Sequence, residues 1–519
     1  MHTVCAKHIT LWTLILGALG VLLPYAMFTH AFEVPDESAH FASLTFLVNQ
    51  GRMPIASDRN DLSLEEYQTE QIFGIVEGQN KYSYHPEFRI EQIPGSLGKY
   101  EQEIKALNTN SNRTTYYGQQ AALYPPLYYA LTLPLLHLVR SADILTRLFV
   151  SRISSVIFTS LVVLFAYHIG KLVFEKKSYA ITVAVMTLFF PMTAYIGGGV
   201  NSDNLHNLLF AIATLLALYV VKNGWSRNLS FAVGTCIGLD LLTKPQAYIL
   251  FPIFVLATLM RWKWVEWRSI LSSIFYILVL VLLIAGWQEI PKFVVSNPYA
   301  AQTVVYGGMA NFRTFAAGYV HTHLTEMPVW YWGVFKWFGV ILPRPWWWIA
   351  VRLMGVSAIG LVLEFVRDIR AHRLSTESRI ILFFLGANLL YVAALFWFDW
   401  QFYEQFGHSL GLQARYYMPL LISQMSLLLL GLTNLGWNER VKEGLRTVLI
   451  LFFLGLQLTS VYVQLTSYYD LTSMNTFLSQ VSQYKPFFAK DTWWYLWFSL
   501  YFAGIITTIT LALQRKNKK

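Results

Sequence analysis

Cysteine and charge are the scarce ingredients of this 519-residue chain. Two cysteines, Cys5 and Cys236, are too few for a disulfide framework or a cysteine-built zinc cluster. Cys5 precedes the first apolar segment and Cys236 lies inside a later one, so neither reveals a redox compartment. Charged residues make up only 13% of the chain, against about 25% in soluble domains. No Gly-rich phosphate loop and no H-E-x-x-H helix is present, which removes the commonest nucleotide and zinc-hydrolase signatures. What fills the space is apolar: 55% of residues are hydrophobic and mean hydropathy is +0.43. Such a composition belongs in a bilayer. The net charge of +10 needs no nucleic-acid partner. Its positives cluster in short loops, at Arg367 to Arg379, Arg440 to Arg446 and Arg515 to Lys519, which is the positive-inside pattern.

Thirteen apolar runs are candidates for crossing a bilayer of about 20 residues' thickness. They are Ile9–Phe28, Ala121–Val139, Val150–Leu172, Tyr179–Ile196, Leu205–Val221, Leu229–Leu242, Ala247–Met260, Ile270–Trp287, Trp346–Val366, Ile380–Phe398, Tyr416–Leu432, Val448–Leu465 and Trp493–Leu513. The first reads as an uncleaved anchor, since it is long for a signal peptide and many spans follow. Lys7 before the first run and the basic tail after the last put both termini on the cytoplasmic side. That requires an even number of spans. The short pair Leu229–Leu242 and Ala247–Met260, split by Lys244-Pro245, therefore reads as one broken helix, giving about twelve spans (12–13) in an all-α polytopic protein. The alternative is that the Pro-bearing run after Tyr124 does not cross. Three regions follow: a transmembrane module over 1–290 with a polar first outer loop at 29–119, an aromatic-rich second outer loop at 288–345, and C-terminal transmembrane helices over 346–519. Within the first loop, Pro35 to Asn49 reads as an amphipathic interfacial helix with Phe41, Leu44, Leu47 and Val48 on one face.

Ionisable groups near spans are costly unless they serve a purpose. Asp36, Glu37 and His40 follow the first span. Acids after Pro35 suit the first turn of a helix, so plain capping explains them as well as chemistry does. Asp36 and His40, four apart, share a helix face, where a carboxylate serves as a base or a metal ligand. Tyr124-Pro125-Pro126 opens the second run, and Gly197 to Asn204, with Asn201 and Asp203, forms a turn that lets a ligand approach the backbone. Lys244 interrupts an apolar stretch and either snorkels or answers a buried acid. Arg415 before Tyr416 stands on the outer side, against the positive-inside trend, and arginine suits phosphate oxygens. An outward carboxylate and an outward arginine are the parts needed to move a sugar from a lipid-linked phosphate. The leaving phosphate needs a cation and the acceptor hydroxyl needs a base.

At these residues the chain resembles the GT-C superfamily of polyprenyl-phosphate-sugar-dependent membrane glycosyltransferases. More distantly it resembles the lipid A aminoarabinose transferases and protein O-mannosyltransferases within it. It is most similar to a bacterial family of multi-pass membrane proteins that share a P-D-E-x-x-H opening. The elements carrying the likeness are Pro35 to His40, Asn201-Ser202-Asp203, Thr243-Lys244-Pro245, Trp337 to Pro343 and Arg415-Tyr416. The resemblance implies an inverting transferase with its active site at the outer face of the inner membrane and a polyprenyl-phosphate sugar as donor. The acceptor would be a cell-envelope glycan, lipid or protein, and membrane lipids would surround the site. It implies Asp36 as base or metal ligand with Glu37 beside it, and Arg415, Tyr416 and Lys244 on the donor phosphate. His40, Tyr124, Asn201 and Asp203 would support them. The need for a divalent metal stays open, with Asp36, Glu37 and His40 as its candidate ligands. Aminoarabinose transferases carry a lysine before the proline that opens their second span. Tyr124 stands there in this chain, which moves the phosphate load onto Arg415, Tyr416 and Lys244. Two other readings are a lipid-glycan flippase, which would show paired broken helices in two repeats, and a non-catalytic scaffold of an envelope-synthesis complex.

Overall fold

A computed structural model describes residues 2–54, 62–74, 89–117, 124–261, 266–294, 308–336, 339–411, 413–436 and 438–514. The basic tail Arg515 to Lys519, and Trp337 and Phe338 of the aromatic loop, lie outside the described residues. The chain opens with α1 (His2–Phe28), turns sharply, and enters α2 (Glu37–Gln50). Short helices at Leu64–Phe73, Glu101–Ala106 and Asn110–Thr114 follow, with an antiparallel strand pair, β1 (Leu62–Ser63) and β2 (Tyr116–Tyr117). Then come α3 (Leu127–Leu138), α4 (Ile144–Val173), α5 (Lys177–Leu188), α6 (Pro191–Gly197), α7 (Asp203–Asn223), α8 (Arg227–Leu241), α9 (Leu250–Leu259) and α10 (Trp267–Val294). Past a second region with helices at Met309–Thr325 and Met327–Trp330 and the strands β3 (Val334–Phe335) and β4 (Val340–Ile341), the chain continues as α11 (Arg344–Arg370), α12 (Thr376–Phe406), α13 (Leu421–Asn434) and α14 (Glu439–Tyr468). It closes with α15 (Met474–Ser482) and α16 (Trp493–Leu513).

Helix ends follow local chemistry. Asp143 caps α4 by accepting the Thr146 N–H at 2.9 Å, and Ser375 caps α12 by accepting the Ser378 N–H at 3.1 Å. Gly407 stops α12 at φ 76°. Among the described residues nine helices are long and apolar enough to cross a membrane, or ten if the bent pair α5–α6, kinked by 58° before Pro191, is one span. The protein is an all-α integral membrane protein, and this length test falls short of the expected twelve spans.

The reason lies in two short segments. α7 runs from Asp203 to Asn223; Lys244 pairs with Asp203 at its start, while Trp225, just past its end, donates through Nε1 to Thr258 at 3.0 Å. α8 and α9 are therefore two antiparallel legs joined at Lys244-Pro245, each short, and not one broken helix as expected. The Pro-bearing α3 accounts for the parity instead. Its first N–H, from Leu127, bonds the Leu242 carbonyl at 2.9 Å beside the Lys244 turn. Just beyond its other end, Arg113 of the first polar loop donates to the Ala142 carbonyl at 2.6 Å. Both ends of α3 thus lie at one end of the bundle. α2 also departs from expectation. His40 to Phe46 are all buried, so protein encloses this stretch on every side, while Leu47 and Val48 are half-buried and Asn49 and Gln50 exposed.

One continuous core joins the two halves of the chain, from Leu14 to Ala512. Glycines let helices meet backbone to backbone: a Cβ on Gly20 of α1 would lie 2.8 Å from the Gly504 Cα of α16. At the site end, Arg152 of α4 is fully buried and spends every donor. It bonds Glu37 through Nε and Nη2 at 2.7 and 2.6 Å, and the carbonyls of Ala26, Thr29 and His30 at 2.7 to 2.9 Å. Its guanidinium also lies 4.4 Å over the Phe149 ring.

Two stability outcomes follow. Gly20→Val overpacks the α1–α16 contact and costs about 1–3 kcal/mol, read as a lowered melting temperature in detergent. Glu37→Gln strands the buried Arg152 charge and costs about 3–5 kcal/mol in the same measurement, more than any exposed acid-to-amide change. A Glu37→Gln chain as stable as the native one would show that the pair does not hold this end of the bundle together.

Candidate active site

The turn between α1 and α2 is held in an unusual shape. Phe32 and Asp36 adopt left-handed backbone conformations at φ 62° and 61°. For residues with a Cβ this costs about 1–3 kcal/mol each, so the surroundings must enforce it. They do so through the Pro35 carbonyl, which accepts from Asn201 Nδ2 at 2.9 Å and from Arg415 Nη1 at 3.0 Å. Arg415 Nη2 then reaches the Asp36 carboxylate at 2.5 Å. The Asp36 side chain stays 35% exposed, while Arg415 is only 3% exposed. Burial pushes the Asp36 carboxyl up, but the charge and hydrogen bond of Arg415 outweigh it and hold the group below the usual carboxylate range.

Arg415 belongs to a short 3₁₀ segment, Ala414–Leu420, that precedes α13. Its Nη1 is also 3.8 Å from the Asp203 carboxylate, whose other oxygen pairs with Lys244. Asp203 is positioned by its own N–H, which donates to Asn201 Oδ1 at 2.8 Å. Tyr416 lies under both cations, 5.2 Å from the Arg415 guanidinium and 5.6 Å from the Lys244 ammonium. On the other side of Asp36, His40 packs against Tyr124 with ring centres 4.4 Å apart and planes tilted by 34°, and bonds the Tyr129 hydroxyl at 2.7 Å. Burial brings the His40 imidazole down to about 3, so it is neutral. Two cavities flank Arg415. One is lined by Pro35, Tyr195, Val334 and Gln413. The other is lined by Asp203, His206, Lys244, Tyr391 and Tyr416.

Asp36, His40, Tyr124, Asn201, Asp203, Lys244, Arg415 and Tyr416 thus come together at one end of the bundle. Glu37 does not join them. It is fully buried, and its carboxylate is taken up by Arg152 and by the Val200 N–H at 2.9 Å. Its carboxylate is thus committed to the anchor and not to the Asp36–Arg415 group. Among the described residues no three His, Cys, Asp or Glu side chains are grouped so that they could hold a metal ion, and Asp36, Glu37 and His40 remain the candidates only if one binds.

Sequence reasoning missed two groups. One is Arg152. The other is His206, whose Nδ1 meets Asp240 Oδ1 at 2.8 Å, both residues buried. The signal was present: Arg152, His206 and Asp240 are ionisable residues inside predicted apolar runs.

Known proteins were compared with the whole chain. The chain is similar to the crystal structure of ArnT from Cupriavidus metallidurans bound to undecaprenyl phosphate, with a TM-score of 0.43 and 12% identity over 99% of this chain and 78% of that one. The apo ArnT structure gives a TM-score of 0.35 and 13% identity over 80% and 76%. The archaeal oligosaccharyltransferase AglB from Archaeoglobus fulgidus, in complex with an inhibitory peptide and a dolichol-phosphate, gives 0.42 and 12% over 89% of this chain and 56% of that one. No curated protein sequence matches. The family described as "Predicted membrane protein (DUF2142)" matches residues 19–424, a stretch that contains every candidate residue from Asp36 to Tyr416, and the chain belongs to that family.

Proposed function

We propose that the chain is an inverting glycosyltransferase that moves a sugar from a polyprenyl-phosphate donor to a hydroxyl of a cell-envelope glycan, lipid or protein. The observation that carries this reading is the Asp36–Arg415 pair: a part-exposed carboxylate held by a buried guanidinium between two cavities. The basic loop residues support a site on the outer face of the inner membrane. Lys176 and Lys222 lie at the far ends of α4 and α7 from Asp36, and Arg367 and Arg370 end α11.

In this reading the donor phosphate meets Arg415 and Lys244 over the Tyr416 ring. The bond between the sugar carbon and the phosphate oxygen breaks, and its electron pair stays on the phosphate. The acceptor oxygen bonds to the same carbon from the opposite face, and its proton passes to Asp36. The transition state is oxocarbenium-like, as in glycoside hydrolysis. A phosphate that draws Arg415 to itself loosens that residue's hold on Asp36. The carboxylate then becomes a better base at the moment the donor is in place. Glu37 contributes by fixing the backbone from which Asp36 projects. His40 and Tyr124 shape the neutral side of the site, and Asn201 and Asp203 set the Pro35 carbonyl and Lys244.

With purified chain and a polyprenyl-phosphate sugar, release of lipid phosphate is the readout. Asp36→Asn lowers the rate by about 10²–10⁴-fold with the protein still folded; full activity in that variant would remove Asp36 as base. The pH profile carries a second outcome. Asp36 is held below its ordinary value of about 3.9 and so is ionised throughout the neutral range. The pairing with Arg415 is complete above that value and is lost only as the pH falls through the lowered one. kcat/KM therefore does not fall as the pH drops from about 7 to about 5. An acid limb inside that window would assign the base to another group.

A further inference from the structure

The His206–Asp240 pair has no part in the reaction so far. His206 is 2% exposed and lies one turn into α7 from Asp203. Its Nδ1–H donates to Asp240 on α8, which leaves the Nε2 lone pair as the free end of the ring. Nε2 is buried without a hydrogen-bond partner among the described residues, and His206 lines the second cavity beside Lys244, Arg415 and Tyr416. A buried polar atom left open in this way is costly unless something comes to meet it.

Charge counting says what that is. The groups facing His206 are Asp203 on its own helix, Asp240 on α8, Lys244 at the following turn, Tyr391 on α12, and Arg415 with Tyr416 on the 3₁₀ segment. Asp36 is bound to the same Arg415. Asp36 and Asp203 thus already occupy Arg415 and Lys244, and Asp240 is paired with His206 itself. An entering phosphate ester adds negative charge to a wall that already has none to spare. A ring nitrogen left open in this way is a group that can take up a proton and so meet that charge.

We propose that His206 is a phosphate-binding residue of this cavity. It takes up one proton at Nε2 as a phosphate ester enters, donates it in a charge-assisted hydrogen bond to a phosphate oxygen, and returns it to solvent when the ester leaves. Asp240 is the positioning residue, fixing the ring so that Nε2 faces the cavity. This inference rests on the reading above that a polyprenyl phosphate ester occupies the site.

The test is titration calorimetry of the full chain with farnesyl phosphate, in buffers of different ionisation heat. The pH is set about one unit above the ordinary imidazole value of about 6.5. The native chain takes up close to one proton per ligand bound. In His206→Asn the uptake disappears, the Kd rises by about tenfold, and its dependence on pH flattens. Asp240→Asn gives a smaller uptake with the fold kept. Binding by the native chain with no proton uptake overturns the inference and leaves the transferase reading standing. So does uptake unchanged in His206→Asn, since the proton then sits on another group. Uptake on adding farnesol, which has no phosphate, also overturns it. Failure of farnesyl phosphate to bind the native chain at all overturns the transferase reading, and this inference falls with it. The native-chain result stands even where a variant fails to fold.

Discussion

Everything at the site end depends on one buried arginine. Arg152 has five N–H donors, and the structure supplies five acceptors: both oxygens of Glu37 and three carbonyls from the end of α1. Moving a guanidinium and a carboxylate out of water is costly, and their mutual attraction offsets that cost only when the geometry is complete. Here it is complete. The consequence is positional. Once Glu37 is fixed, the residue before it cannot relax, and Asp36 is held in its left-handed turn with its side chain part-exposed on Arg415. The adjacent acids of the opening motif therefore divide the work by burial: one anchors, the other is presented.

The same logic of paired charges governs the site itself, with a different balance. Around Arg152 every donor is satisfied and nothing is left to give. Around Arg415 the accounts stay open. Among the described residues its Nε has no partner, one oxygen of Asp203 has none closer than 3.8 Å, and the His206 Nε2 has none. These atoms border two cavities and not packed side chains. Unfilled hydrogen-bonding capacity next to empty space is what separates a place built to receive a ligand from a place built to hold the fold.

How much of this was legible in the sequence differs by residue. Asp36, Asp203, Lys244 and Arg415 were readable because each breaks the expectation for its place: acids and a cation at span ends, an arginine on the wrong side. Their meeting was not readable, since Asp36 and Arg415 are 379 positions apart and only tertiary packing joins them. Which part Glu37 plays was not readable, because sequence adjacency to Asp36 says nothing about which way a side chain points out of a left-handed turn. Helices as long as α4 and α14 were plain from hydropathy. The short legs α8 and α9 were not, because Lys244-Pro245 at a tight reversal has the same appearance as a break within one helix. The prolines of α3 gave the better clue. A run holding Pro125, Pro126 and Pro134 is poorly suited to a full crossing, and the structure keeps both its ends on one side.

The position of α3 also explains why the site can be wet at one edge. A helix that crossed fully at this point would present a uniform apolar wall beside Asp36. A helix that turns back instead brings its first turn, with Tyr128 and Tyr129, to the end of the bundle. Tyr128 accepts the Asn201 N–H at 3.0 Å and meets Ser155 at 2.8 Å, while Tyr129 holds His40. These hydroxyls give the polar turn around Asp36 partners on a side where lipid would offer none. A carboxylate that must stay charged and reachable needs such surroundings. The non-crossing helix is therefore part of the site's chemistry: it supplies polar side chains at a depth where a membrane-spanning helix would have supplied hydrocarbon.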